Sequence, residues 1–301
     1  LISERFECKQ LHPLIIEYKI DSLLFEQLQV TAAIYISKCI PGKEIILDED
    51  KLLQRLAETK TEIQNITPNG MIVAKRHLIL EYNALVKAFI DIIKSLNAND
   101  IIDTWHIPLN LRFKDSLASE NNLKRHHPTE HIHSDSWAGE SADSLTTMIG
   151  IFGDIERNNV KFYAPPDNFQ EEWLRPLPSY IDGKKYADLF EKLAINQKMG
   201  YLYISDFSTL HASSLTPDAG MRISIDTTFV TKSQFSGRVD SKETIHPWRE
   251  NERMTHEDLL SIGEKTFFIF PDRVDYFVDS EGGFKHPSNL KVIECKELYT
   301  S

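Results

Sequence analysis

Met221-Arg-Ile-Ser-Ile-Asp-Thr-Thr-Phe-Val230 alternates polar and apolar side chains from Arg222 to Asp226. Successive side chains of an extended strand leave on opposite faces, so Arg222, Ser224 and Asp226 share one face and Ile223 and Ile225 the other. A guanidinium turned into an apolar barrel is costly unless it meets an anion. Two partners are open to Arg222: a bound anion, or an ion pair with Asp226. Further strands are expected near 145–152, 159–163, 200–206, 222–231, 266–278 and 290–296. A strand is also read over 103–113, where Trp105, Ile107, Leu109, Leu111 and Phe113 alternate with His106, Pro108, Asn110 and Arg112. Many strands without regular intervening helices point to a β-sandwich or jelly roll.

The first hundred residues follow a different period. Leu78, Tyr82, Leu85, Val86, Phe89, Ile92, Ile93 and Leu96 recur at helical spacing, which predicts an amphipathic helix over about 71–97. Weaker helical patterns lie near 21–39 and 48–64, the second with Asp48 as its cap. A further helix is expected around Lys184 to Asn196, where Tyr186, Leu189, Phe190 and Leu193 would share a face. The fold expected is therefore mainly β with flanking α: a double-stranded β-helix (jelly roll) packed against N-terminal helices. The 301 residues are read as a single elaborated domain, with helical support over 1–100 and a jelly-roll core over 101–301 that carries an insertion near 184–196. The charged segment 232–258 reads as a solvated loop or exposed helix, and its His246-Pro-Trp as a packed turn or a substrate-facing lid.

The chemistry is concentrated in His131-Ile-His-Ser-Asp-Ser-Trp137 and in His211. On a regular strand His133 and Asp135 project from one face and can share a metal ion. His211 follows the apolar run 200–210, which reads as a buried strand delivering it to a cavity mouth. Two imidazoles and one carboxylate make a facial set suited to non-haem iron(II), with coordination positions left open. His-x-Asp is a short pattern in a chain with 11 histidines, so structural histidines are the alternative. Arg222, eleven positions after His211, suits a distal carboxylate because its guanidinium is planar and bidentate. Candidate substrate contacts are Arg112, His131 and Trp137; a surface ion pair, a satisfied buried histidine and core packing are their respective alternatives. Lys124-Arg-His-His127 concentrates positive charge before the His131 stretch, suiting an anionic substrate such as a phosphorylated or nucleotide-linked sugar, unless it is a solvated loop.

The order His133-x-Asp135, His211, Arg222-x-Ser224 resembles the iron(II)/2-oxoglutarate-dependent dioxygenase superfamily, and within it the phytanoyl-CoA-hydroxylase-like branch of carbohydrate and antibiotic biosynthesis. The likeness covers roughly 133–230. It implies His133, Asp135 and His211 as iron ligands, and Arg222, assisted by Ser224, as the clamp on the C5 carboxylate of 2-oxoglutarate. Dioxygen would be the second cosubstrate. The implied reaction is hydroxylation of a C–H bond in a small polar metabolite, coupled to decarboxylation of 2-oxoglutarate to succinate. A carboxylate at 135 disfavours halogenation, which needs a small residue there.

Composition bounds the alternatives. Hydrophobic content of 41% and charged content of 26% are ordinary for a globular protein. A net charge of -11 argues against a general nucleic-acid or anionic-membrane binder. Cys8, Cys39 and Cys295 are scattered and odd in number, so neither a disulfide framework nor a CxxC zinc site is expected, and a reduced cytoplasmic setting fits. No stretch approaches the roughly 18 uninterrupted apolar residues of a membrane span, and no signal-peptide pattern opens the chain. Oligomeric state is left open. Two other functions compete. His131-x-His133 also begins a cupin-type metal pattern, for an isomerase, epimerase or 2-oxoglutarate-independent dioxygenase; against it, 137 and 138 are Trp and Ala where glutamate is expected, and Glu140 lies beyond. The other is a non-catalytic binding domain.

Overall fold

Strand β10 (Arg222–Thr231) lies at the centre of an eight-stranded antiparallel sheet in the computed structural model; strands are numbered in chain order. The described residues are 8–42, 44–63, 66–67, 69–72, 74–107, 109–116, 123–141, 144–214, 216–232, 253–269, 277–278, 284–285 and 294–297. One edge of β10 pairs along its length with β5 (Ser144–Gly153). The other pairs first with β4 (Asn110–Lys114) and then with β3 (Ile102–His106). β8 (Tyr201–Asp206) continues the sheet beyond β5, followed by β2 (Ile15–Lys19) and β1 (Lys9–His12), while β11 (Arg253–Thr255) pairs with β3. A second sheet has the order β7 (Glu191–Lys192), β6 (Val160–Ala164), β9 (Leu210–Ser213), with His133 bridged antiparallel to His211. The order β4-β10-β5-β8, together with a smaller sheet of residue 133, β9, β6 and β7, is a double-stranded β-helix, the jelly-roll arrangement.

Side-chain parity divides the larger sheet into two faces. Ile223, Ile225 and Phe229 of β10, Ile149 and Ile151 of β5, Leu202 and Ile204 of β8 and Leu111 of β4 share one core with the N-terminal helices. Helix α1 (Ser22–Cys39) is capped by Asp21, which accepts from Leu23 N at 2.9 Å; α2 (Glu49–Thr59) is capped by Asp48, which accepts from Lys51 N at 2.9 Å. Helix α3 (Ile79–Ser95) buries Tyr82, Leu85, Val86, Phe89, Ile92 and Ile93, the face read from the sequence. The other face of the sheet is polar and looks towards the smaller sheet.

Several boundaries differ from expectation, each for a packing reason. The first hundred residues are not helical throughout: β1 and β2 form a hairpin on the edge of β8, where Ile15 and Ile16 are buried. Helix α3 starts at 79 because 70–72 lies against β4, with Ile72 N donating to Leu111 O and Phe113 N to Gly70 O. Gly70 has φ +79, and a Cβ there would sit 2.1 Å from Phe113 O, so both turn and approach require glycine. The single strand read over 103–113 is two, β3 and β4, taking successive stretches of one edge of β10. The helix expected over 184–196 is one turn, α4 (Lys184–Ala187). Beyond it the edge of β6 captures the chain, with Lys192 opposite Tyr163 and Leu193 N donating to Phe162 O, and Leu189 is exposed: sheet pairing overrides the local helical pattern. The end of the segment read as solvated, from 253 on, enters β11 and then α5 (His256–Leu260), and His256 within it is buried. His246-Pro-Trp lies outside the described residues. In the C-terminal part β12 (Thr266–Ile269) pairs with β15 (Glu294–Glu297), and β13 (Phe277–Val278) with β14 (Phe284–Lys285). No helix among the described residues is long and apolar enough to cross a membrane.

Candidate metal and anion site

The polar face of the larger sheet forms the floor of a cavity, with Thr146 and Met148 from β5, Tyr203 and Ser205 from β8, Arg112 from β4, and Arg222, Ser224 and Asp226 from β10. Phe162, His211 and Ser213 of the smaller sheet form its roof, and Thr129, His133 and Asp135 close one side. His211 reaches the roof through a tight turn after β8. Asp206 Oδ1 accepts from Ser208 N at 2.9 Å and the Asp206 carbonyl from Thr209 N at 2.9 Å, which carries the chain from one sheet to the other.

His133 and His211 exchange two backbone hydrogen bonds, of 2.9 and 2.8 Å. Directly opposed residues of an antiparallel pair project to the same face, so the imidazoles meet, with ring centroids 4.3 Å apart. The extended conformation does not continue to 137. Ser134 Oγ accepts from Ser136 N, and a 3-10 turn over Asp135–Ala138 begins at the carboxylate. Asp135 nonetheless points into the cavity: its Oδ1 lies 3.6 Å from His211 Nε2, and its Oδ2 accepts from Thr146 Oγ1 at 3.1 Å. One ligating atom from each of His133, Asp135 and His211 lies within 4.8 Å of the other two.

His133 is prepared for a cation. Its Nδ1 donates to the His131 carbonyl at 2.7 Å, which leaves Nε2 as the lone-pair nitrogen. Burial, then the charges of His211, Arg112 and His127, hold its pKa well below the ordinary histidine value against the opposing pull of the His131 carbonyl, so the ring is neutral. Tyr180 stacks on the same ring at 4.1 Å and fixes its plane. Two imidazoles and one carboxylate gathered on one side of a cavity fit an iron(II) site.

The opposite end of the floor is cationic. Arg222 is 2% exposed, and its Nε and Nη1 have no hydrogen-bond partner among the described residues. Burial, only partly offset by Asp226, lowers its pKa to about 10, with Arg112 adding to the fall. The alternative open to Arg222, an ion pair with Asp226, is not formed. Asp226 accepts instead from Arg112 Nε at 2.6 Å and Asn110 Nδ2 at 2.9 Å, because those strand neighbours reach it first. Ser224 sits between the two arginines on the cavity wall. Behind them Lys114, opposite Arg222 in the sheet, donates to Thr129 Oγ1 at 2.7 Å and Glu130 Oε1 at 2.8 Å; burial lowers its pKa to about 8 against the pull of Glu130.

Of the sequence candidates, His133, Asp135, His211, Arg112, Arg222 and Ser224 meet at this cavity, and His131 and Trp137 are not among its lining residues. Trp137 is diverted by the 3-10 turn into a second core with Tyr180, Ala187, Phe190 and Leu210, where its Nε1 donates to the Trp173 carbonyl at 2.7 Å. The packing is close enough that a Cβ on Gly183 would lie 2.3 Å from the Trp137 ring. His131 contributes its carbonyl. Glu140, the residue a cupin pattern would enlist, has its carboxylate oxygens on His106 at 3.0 Å and Arg253 at 3.1 Å. Sequence reasoning missed Thr146, Met148, Tyr203 and Ser205, although the parity argument used on β10 would place them once β5 and β8 are known to be its neighbours. Tyr180 carried no signal, since only the tertiary fold brings it to His133.

Scans against protein-family models and against curated proteins give no match. Among solved structures the chain is similar to the non-heme alpha ketoglutarate dependent epimerase SnoN from nogalamycin biosynthesis, with 10% identity, 80% of this chain and 87% of that one covered, and a TM-score of 0.40. An N-substituted L-amino acid dioxygenase from Burkholderia ambifaria AMMD in complex with alpha-KG is 13% identical over 73% of this chain and 84% of that one, with a TM-score of 0.39. The match to the non-heme alpha ketoglutarate dependent carbocyclase SnoK, also from nogalamycin biosynthesis, is 14% identical, has a TM-score of 0.33, and spans 52% of this chain and 58% of that one.

Proposed function

We propose that this protein is an iron(II)- and 2-oxoglutarate-dependent oxygenase that hydroxylates a C–H bond of a small polar metabolite, of the size and polarity of a sugar, nucleotide-linked sugar or related biosynthetic intermediate. The observation that carries the reading is Arg222. A buried guanidinium with Nε and Nη1 unpartnered among the described residues, on the same cavity as a two-histidine, one-carboxylate cluster, is matched to a ligand that would reach both metal and arginine. A 2-oxo dicarboxylate has that shape, with a chelating end and a distal carboxylate.

In this reading His133 Nε2, His211 and an Asp135 oxygen would hold the iron, which when bound would supply dioxygen activation coupled to decarboxylation of the 2-oxo acid. The chain's own task is orientation and exclusion of water. The His131 carbonyl and the Tyr180 ring fix His133, Thr146 fixes Asp135, and Ser224 lies beside Arg222 to share the distal carboxylate. Incubating iron(II)-loaded protein with 2-oxoglutarate, oxygen and a panel of candidate metabolites tests the proposal by succinate formation. Succinate should appear with the wild type and not with His211→Ala. A wild type that binds metal but never consumes 2-oxoglutarate would return the site to the cupin-type reading, and one that binds no metal to a non-catalytic domain.

A further inference from the structure

Resting on that reading and deepening it, we propose that the substrate carries an anionic group, of the carboxylate class, and that Arg112 is the residue that receives it. Arg112 is held rather than mobile. Its Nε donates to Asp226, whose second oxygen is occupied by Asn110, so the plane of the guanidinium is set by a partner that is itself fixed. That hydrogen bond uses Nε only. Among the described residues the two Nη groups have no acceptor, and the side chain, 19% exposed, lines the cavity. A planar fork with one edge anchored and the other open to a cavity is arranged for a bidentate oxyanion.

Arg112 and Arg222 both line the cavity, whereas Lys114 is engaged by Glu130 and is not a lining residue. With the distal carboxylate of 2-oxoglutarate on Arg222, the open Nη edge of Arg112 is the guanidinium surface that the described lining residues leave for a second oxyanion.

The test uses Zn(II)-loaded protein, first titrated with 2-oxoglutarate and then, at saturation, probed by ligand-observed NMR with 3-phenylpropionate and its neutral amide. The wild type should prefer the carboxylate by about tenfold or more, as expected when one partner of a desolvated charge pair is removed. Arg112→Gln should abolish that preference while 2-oxoglutarate still binds. No preference in the wild type overturns the inference without any variant, as does a preference that survives Arg112→Gln. If Arg112→Gln weakens 2-oxoglutarate as severely as Arg222→Gln does, Arg112 serves the cosubstrate and the inference fails while the oxygenase reading stands. If the metal-loaded wild type takes up no 2-oxoglutarate in the first titration, the oxygenase reading fails and the inference falls with it.

Discussion

The two faces of the larger sheet are made by the same strands and obey opposite rules. On β10, Ile223 and Ile225 go to the helices and Arg222, Ser224 and Asp226 to the cavity, one residue apart along the chain. The helical face is saturated: its side chains are fully buried among others of their kind, and it stabilises the fold without needing anything from outside. The cavity face is incomplete, with an arginine whose Nε and Nη1 find no acceptor among the described residues and three metal-type ligands gathered together. Stability is therefore expected to reside on one face and ligand binding on the other, and substitutions on either side should separate the two.

The largest effect should come from the metal end. His211→Ala should abolish stoichiometric binding of Fe(II) or Zn(II), measured by metal analysis after dialysis, while circular dichroism shows the fold retained. A variant that keeps its metal would break the comparison at its functional face.

On the helical face, Ile225→Ala should cost about 2–5 kcal/mol in urea unfolding, the usual range for truncating a fully buried aliphatic chain, and should leave 2-oxoglutarate affinity unaltered in the folded protein. On the cavity face, Arg222→Leu should do the reverse. Removing an uncompensated buried charge in favour of an apolar side chain of similar reach should leave the ligand-free protein as stable or more stable by about 1–4 kcal/mol. Ligand-free destabilisation of Arg222→Leu comparable to that of Ile225→Ala would mean that Arg222 is a structural residue.

The effect confined to acid comes last. His256 is buried, accepts from Trp105 Nε1 at 2.8 Å through Nδ1, and has its pKa lowered to about 4 by burial and then by Lys232. The unfolded chain takes up a proton near 6.5 that the folded protein refuses until about 4, so this contribution to stability is present above pH 6.5 and is lost as pH falls towards 4. Within that window the slope for one proton approaches about 1.4 kcal/mol per pH unit. His256→Gln should flatten the dependence in denaturation curves recorded from pH 7 to 4. An unchanged slope would show that the acid sensitivity lies elsewhere.

The helical face was legible in the sequence because periodicity records burial directly. The helical spacing of Tyr82 to Ile93 and the alternation of Arg222 to Asp226 each report which side of an element meets a core. The cavity face was legible only where a single residue type is chemically conspicuous. His133, Asp135, His211, Arg112 and Arg222 stand out by their chemistry, but the partner of each is set by strand register, which the local pattern does not contain. Hence Asp226 pairs with Arg112 rather than Arg222, and Trp137 follows a 3-10 turn into a core instead of the strand phase that holds up to His133. The helix expected near 184–196 failed for the related reason that the edge of β6 captures the chain beyond Ala187.

The most direct test of the account is a calorimetric titration of 2-oxoglutarate into Zn(II)-loaded wild type and Arg222→Leu, with metal-free wild type as the reference. The account predicts metal-dependent binding to the wild type and a loss in the variant of roughly thirtyfold to several thousandfold, the range for truncating one partner of a desolvated charge pair. Equal affinity in the two metal-loaded proteins, or binding that ignores the metal, would contradict the claim that one ligand bridges the histidine–aspartate cluster and Arg222.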